Sequence, residues 1–214
     1  DFQMVQSDHK FFSLRDDLLI FISVFLWILI VGLLIQLLFI PILFPSLNDG
    51  YGLLKGGDWT YFHTSAVELS AEMQTSGWQT WDLKVDKSEQ GLPVGVASAI
   101  YFITGINKPW ILIPVNAFLY SVSTLFLYKI SFLVSKSKKI SLISILPFLF
   151  FPSAAMIYSQ IHRDIYVINA VLIIFFLMCQ LGLNFKLSRT QIVTNSCLII
   201  VAFFLILLAR SYLL

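Results

Sequence analysis

Apolar and polar positions alternate along this chain in long blocks rather than at close spacing. Residues 18–44 make a run of 27 without a charge, interrupted by Gln36 and Pro41. Four more apolar blocks follow, at residues 110–134, 140–161, 165–183 and 192–214, free of charge except for Lys129 and Arg210. A helix needs about 20 mostly apolar residues to cross the hydrocarbon core of a bilayer. Each block meets that length, so the pattern predicts five transmembrane helices and an all-α, polytopic bundle. The first block is too long for a signal-peptide core and has no small-residue cleavage site before Pro45, so it reads as an uncleaved span behind an N-terminal segment of residues 1–17. Pro147 and Pro152 fall in the third block and read as kinks that a bundle tolerates.

The stretch between the first two spans, residues 45–108, breaks the rule. It carries seven acids and four lysines. Within it, Trp59, Phe62, Ala66, Leu69 and Met73 recur at spacings of three and four, one face of a helix, while Thr60, Thr64, Glu68 and Glu72 line another. The expectation is an interfacial amphipathic helix lying along the membrane surface with its apolar side among the headgroups. Residues 92–105 are apolar but only 14 long, which suits an interfacial or re-entrant helix better than a span. Trp78 and Trp81 suit the same aromatic belt.

Composition agrees with the bilayer as solvent: 58% of the 214 residues are hydrophobic, 12% are charged, and mean hydropathy is +0.85. The net charge of +2 and the absence of basic blocks give no footprint for nucleic acid. Cys179 and Cys197 lie in apolar runs and read as packing residues. Lys10 and Arg15, then Lys136, Lys138 and Lys139, then Lys186 and Arg189 all fall on one side of a five-span bundle. By the positive-inside rule that side is cytoplasmic, with the N-terminus, and residues 45–108 face outward. The chain begins at Asp1 and stops at Leu214 inside an apolar run, so a longer natural chain is expected.

The titratable groups then expected on the outer face are Asp49, Asp58, His63, His162, Arg163, Asp164 and Arg210, with Tyr61 beside them. Charges so close to hydrocarbon are expensive unless they are paired or functional. Asp58 and Asp164 also read as helix caps, Asp164 as a partner for Arg163, and Arg210 as a snorkelling span-end charge. No tight ligand spacing among the histidines and aspartates supports a metal site; no cofactor is expected, and a divalent metal stays an open alternative. The set suits displacement at a sugar linked through phosphate to a lipid. The phosphate leaves with help from cations, for which Arg163 and Arg210 are candidates. One carboxylate takes the acceptor's proton.

Asp58, Tyr61, Ala66 and Trp78 in the first outer loop resemble the GT-C superfamily of integral-membrane glycosyltransferases, in the group of protein O-mannosyltransferases and aminoarabinose transferases. So do the Ala-Ile-Tyr-Phe-Ile-Thr-Gly element ending at Gly105, and Pro152, Ser159 and Arg163-Asp164 before a later span. The resemblance covers the N-terminal part of such enzymes. It implies a polyprenyl-phosphate sugar donor, a glycan, lipid or protein acceptor, membrane lipid around the chain, and an active site outside the cytoplasm, as in a bacterial inner membrane. It implies that Asp58 is the general base, with a looser second acid role for Asp164. Asp49, nearer the first span, is a rival for the base, and His162, Tyr61, His63, Arg163 and Arg210 are candidate substrate contacts. Where many members have paired acids, Trp59 follows Asp58 here, and five spans are fewer than the family's bundle. A non-catalytic subunit or a transporter of an envelope assembly system is the alternative; the charge-free cores of the first four spans argue against transport.

Overall fold

The computed structural model describes residues 14–83, 91–183 and 188–209. The protein is an all-α helical bundle. Helix α1 is Leu14–Leu34, continued as a wider π-helical stretch over Ile35–Leu43. Pro41 has no N–H to give to the preceding turn, and the stretch closes with Phe44 N–H donating to the Phe39 carbonyl at 2.9 Å. Helix α2 is Asp58–Ser76, α3 Gly91–Thr104 and α4 Ile113–Ser135, the last entered through a 3-10 turn at Pro109–Leu112. Then come α5 Lys138–Phe150, α6 Pro152–Tyr158, α7 Asp164–Gly182 and α8 Arg189–Ala209.

Leu14–Leu43, Pro109–Ser135, Asp164–Gly182 and Arg189–Ala209 are long and apolar enough to cross a membrane, and α5 with α6 makes a fifth if the bent pair is one span. The chain is a multi-pass membrane protein. The third apolar block does not run as one kinked helix. It divides between α5 and α6 at a bend of 66°. Pro147 stays inside α5, whereas Pro152 opens α6 at its first position, where no N–H is needed. The residue before a proline is driven out of the helical region, and Phe151 accordingly sits at φ −65, ψ 128.

Breaking a helix inside an apolar bundle strands carbonyls that need donors. Two side-chain amides supply them, through three hydrogen bonds. Gln36 Nε2 donates to the Ser159 carbonyl at 2.9 Å, and Asn116 Nδ2 donates to the carbonyls of Tyr158 and Gln160 at 2.9 and 2.7 Å. Residues 158–160 are thus bolted to the π-helical continuation of α1 and to α4 at one end of the bundle. At the other end two ion pairs clip α1 in place, Asp17 to Lys129 of α4 at 2.6 Å and Asp16 to Lys138 of α5 at 2.5 Å.

The apolar stripe of α2 is present but covered by protein. Phe62 and Ala66 pack with Val94, Ala97 and Tyr101 of α3 and with Leu112 and Ile161. The expected surface helix with its apolar side among headgroups is therefore corrected: α3, a helix too short to span, takes the place the membrane was given. Cys179 and Cys197 are both free.

Candidate functional site

The loop before α2 is built by short polar side chains turning back on their own backbone. Asn48 Oδ1 accepts from the amides of Gly50 and Gly52, at 3.1 and 2.9 Å. Gly52 has φ +78, and a Cβ there would come within 2.4 Å of the Gln36 carbonyl oxygen, so the loop lies directly on α1. Asp49 Oδ1 accepts from the Tyr51 amide at 2.9 Å, and Asp49 Oδ2 accepts from Thr60 Oγ1 at 2.5 Å. Both carboxylate oxygens of Asp49 are thereby engaged within loop and helix. The rival base is a tie between the loop and the first turn of α2.

Asp58 is placed differently. Gly57 occupies the N-cap position and Asp58 is the first residue of the helix, so the N-cap reading passes to a glycine. The α2 N-terminus favours negative charge, and the Asp58 side chain is 69% exposed. Arg163 Nη2 lies 3.7 Å from Asp58 Oδ2, with the arginine side chain only 16% exposed. Three contacts set this juxtaposition. Trp59 Nε1 donates to the Leu54 carbonyl, the Leu54 amide donates to Gln160 Oε1 at 3.0 Å, and Gln160 Nε2 reaches Ser159 Oγ at 3.1 Å. The loop that aims Asp58 and the segment that aims Arg163 are fastened to each other.

Asp164, the first residue of α7, sits beside His162 rather than serving as its helix's cap. His162 Nδ1 accepts from the Asp164 amide at 3.1 Å and lies 3.5 Å from Asp164 Oδ2. The Trp59 ring is 6.2 Å from His162. The cavity that reaches His162 measures about 10 Å³, about the room of one water. Anything larger than a water can reach these side chains only from the open face above Asp58, where Tyr61, three residues on and 46% exposed, shares its side of α2.

His63 does not join them. It is 2% exposed, its Nδ1 is 2.9 Å from the Tyr101 hydroxyl, and its ring stands edge-on to Tyr51. Burial, partly countered by Asp49 and reinforced by Lys108, pushes its pKa below the usual histidine value. His63 is a core histidine satisfied by α3, which corrects its reading as a substrate contact. Arg210 lies outside the described residues. Among the described residues no three His, Cys, Asp or Glu side chains converge as metal ligands would.

Sequence reasoning missed Gln36, Asn116, Gln160 and Tyr101, which position the site without bearing its chemistry. The signal for the first two was on the page: an amide in the middle of an apolar run must find a partner there. No protein-family model, curated protein or solved structure matches this chain.

Proposed function

We propose that the protein is a membrane glycosyltransferase of the GT-C kind, moving a sugar from a polyprenyl-phosphate donor to an acceptor hydroxyl, with inversion, on the face opposite the basic loops. The observation that carries this reading is the Asp58–Arg163 pair: an exposed carboxylate and a guanidinium 3.7 Å apart, held by separate loops. Arg163 would bind the lipid phosphate, since a guanidinium suits phosphate oxygens. Phosphate binding draws Arg163 away from Asp58 and leaves the carboxylate to the acceptor. The acceptor oxygen attacks the anomeric carbon and its proton goes to Asp58. The bond from that carbon to the phosphate oxygen breaks, and the charge left on phosphate stays on Arg163. Tyr61 and His162 would serve as hydrogen-bonding groups to the substrate, with Asp164 setting the orientation of His162.

The test is Asp58→Asn in protein reconstituted with a polyprenyl-phosphate sugar and a hydroxyl acceptor. Asparagine keeps the size of the side chain but cannot take the proton. Transfer should fall by about 10²–10⁴, the usual worth of a positioned base, while donor binding survives. Transfer at the wild-type rate in this variant rejects the reading and leaves Asp58 and Arg163 as a clip between loops.

A further inference from the structure

The end of the bundle remote from Asp58 carries a second feature. Helices α1 and α5 both pack on α4 and meet each other at Asp16–Lys138 and at Trp27–Phe150; between these two contacts a cavity of about 360 Å³ opens. Its floor is Val24, Ile145 and Leu149, all buried, and its rims are exposed apolar residues such as Leu19 and Leu146. Ser23, the small residue among these, leaves the space unfilled. Trp27 and Phe150 close the end nearer mid-bundle, their ring centroids 4.8 Å apart.

The slot runs from Leu19 to Trp27 on α1 and from Leu142 to Phe150 on α5, about 12 Å at 1.5 Å per residue. The slot is lined by apolar side chains throughout apart from Ser23, and a single hydrocarbon chain lying along it meets apolar groups over its whole length. One helical turn beyond the Leu19–Leu142 end of the slot stand Arg15 and Asp16 of α1 and Lys138 and Lys139 of α5. Asp16 is engaged by Lys138, and Arg15 and Lys139 are exposed. Three cations against one carboxylate favour a negative headgroup at the bilayer surface.

We infer that the α1–α5 slot is a binding site for an anionic phospholipid, with one acyl chain lying between Ser23 and Ile145 and its phosphate at Arg15 and Lys139. The site is on the leaflet away from Asp58 and is independent of any chemistry there.

Trp27 reports on it directly. The protein is reconstituted in phosphatidylcholine vesicles holding a minor fraction of brominated phosphatidylglycerol, and in matched vesicles where the brominated lipid is phosphatidylcholine. The quenching due to Trp27 is taken as the difference between wild type and Trp27→Phe. Brominated phosphatidylglycerol should quench it several-fold more strongly at equal fraction, and Arg15→Gln with Lys139→Gln, or Ser23→Phe, should abolish the preference. Mass spectrometry of protein released intact from detergent should show phosphatidylglycerol retained by wild type and lost from the same variants. Equal quenching by the two lipids means ordinary boundary lipid and overturns the site, as does a preference that survives both the charge and the slot-filling variants.

Discussion

The Gln160 amide oxygen accepts the Leu54 backbone N–H at 3.0 Å across 106 positions of chain. Leu54 ends the loop that leads into α2, and Gln160 lies in the break between α6 and α7. The bond connects the loop that precedes Asp58 with the segment that precedes Arg163.

Replacing Gln160 by Met keeps the length of the side chain and removes the acceptor. The Leu54 N–H is then left without its partner in a partly buried place, which costs about 1–3 kcal/mol. Thermal unfolding in detergent should show a lower midpoint for this variant. An unchanged midpoint would mean that the two loops are held by their other contacts. Asp49→Asn should also lower stability, because it weakens the Thr60 bond at 2.5 Å, and should leave more transfer activity than Asp58→Asn does.

If Arg163 holds the donor phosphate, Arg163→Lys keeps the charge but loses the planar fork. Donor affinity should weaken by about 1.5–3 kcal/mol, the worth of a hydrogen bond to a charged group. Titration with a non-transferable lipid-phosphate analogue measures it. Unchanged affinity in Arg163→Ala would reduce Arg163 to a helix-end charge.

Four of the spans were legible because they depend on length and apolar character alone, which the bilayer enforces segment by segment. The stripe of α2 was legible too, through Phe62, Ala66 and Met73. What covers it was not, because periodicity says that a face is buried and not by what. His63 shows the consequence: read as an outward group from its place in a polar loop, it points instead at Tyr101 of α3. The break at Phe151 was half legible. Two prolines marked the third block, and only tertiary contacts decided that Pro152 would end one helix and start another. The meeting of Asp58 with Arg163 was not legible, since it depends on Gln36, Asn116 and Gln160 finding carbonyls in other elements.

The arrangement of basic loops predicts opposite sides for the two ends of the bundle. In a background of Cys179→Ala and Cys197→Ala, single cysteines at Ser76 and Lys139, both exposed, should differ in labelling by a membrane-impermeant maleimide in intact cells. Ser76→Cys should react, and Lys139→Cys only after permeabilisation. The reverse pattern would put Asp58 on the cytoplasmic side and remove the basis for an external donor.

His63 gives a pH dependence whose sign follows from its surroundings. Burial against Tyr101 lowers its pKa from the ordinary histidine value of 6.5, because the charged ring loses water and gains no carboxylate contact of comparable effect. In the unfolded chain the same imidazole titrates near 6.5. Between the two values the unfolded state binds more protons than the folded one, so stability rises with pH across that interval. The contribution of His63 is thus fully present above the unfolded value and is lost progressively as pH falls below it. The loss stops growing once the pH is below the folded value. The melting midpoint of the wild type should therefore fall on acidification from pH 7.5 to about 5.5 more than that of His63→Gln, which keeps a hydrogen-bonding group for Tyr101 but does not titrate. Parallel curves for the two proteins over this range would show that the imidazole is not held neutral by burial, and that α2 and α3 separate far enough in solution to hydrate it.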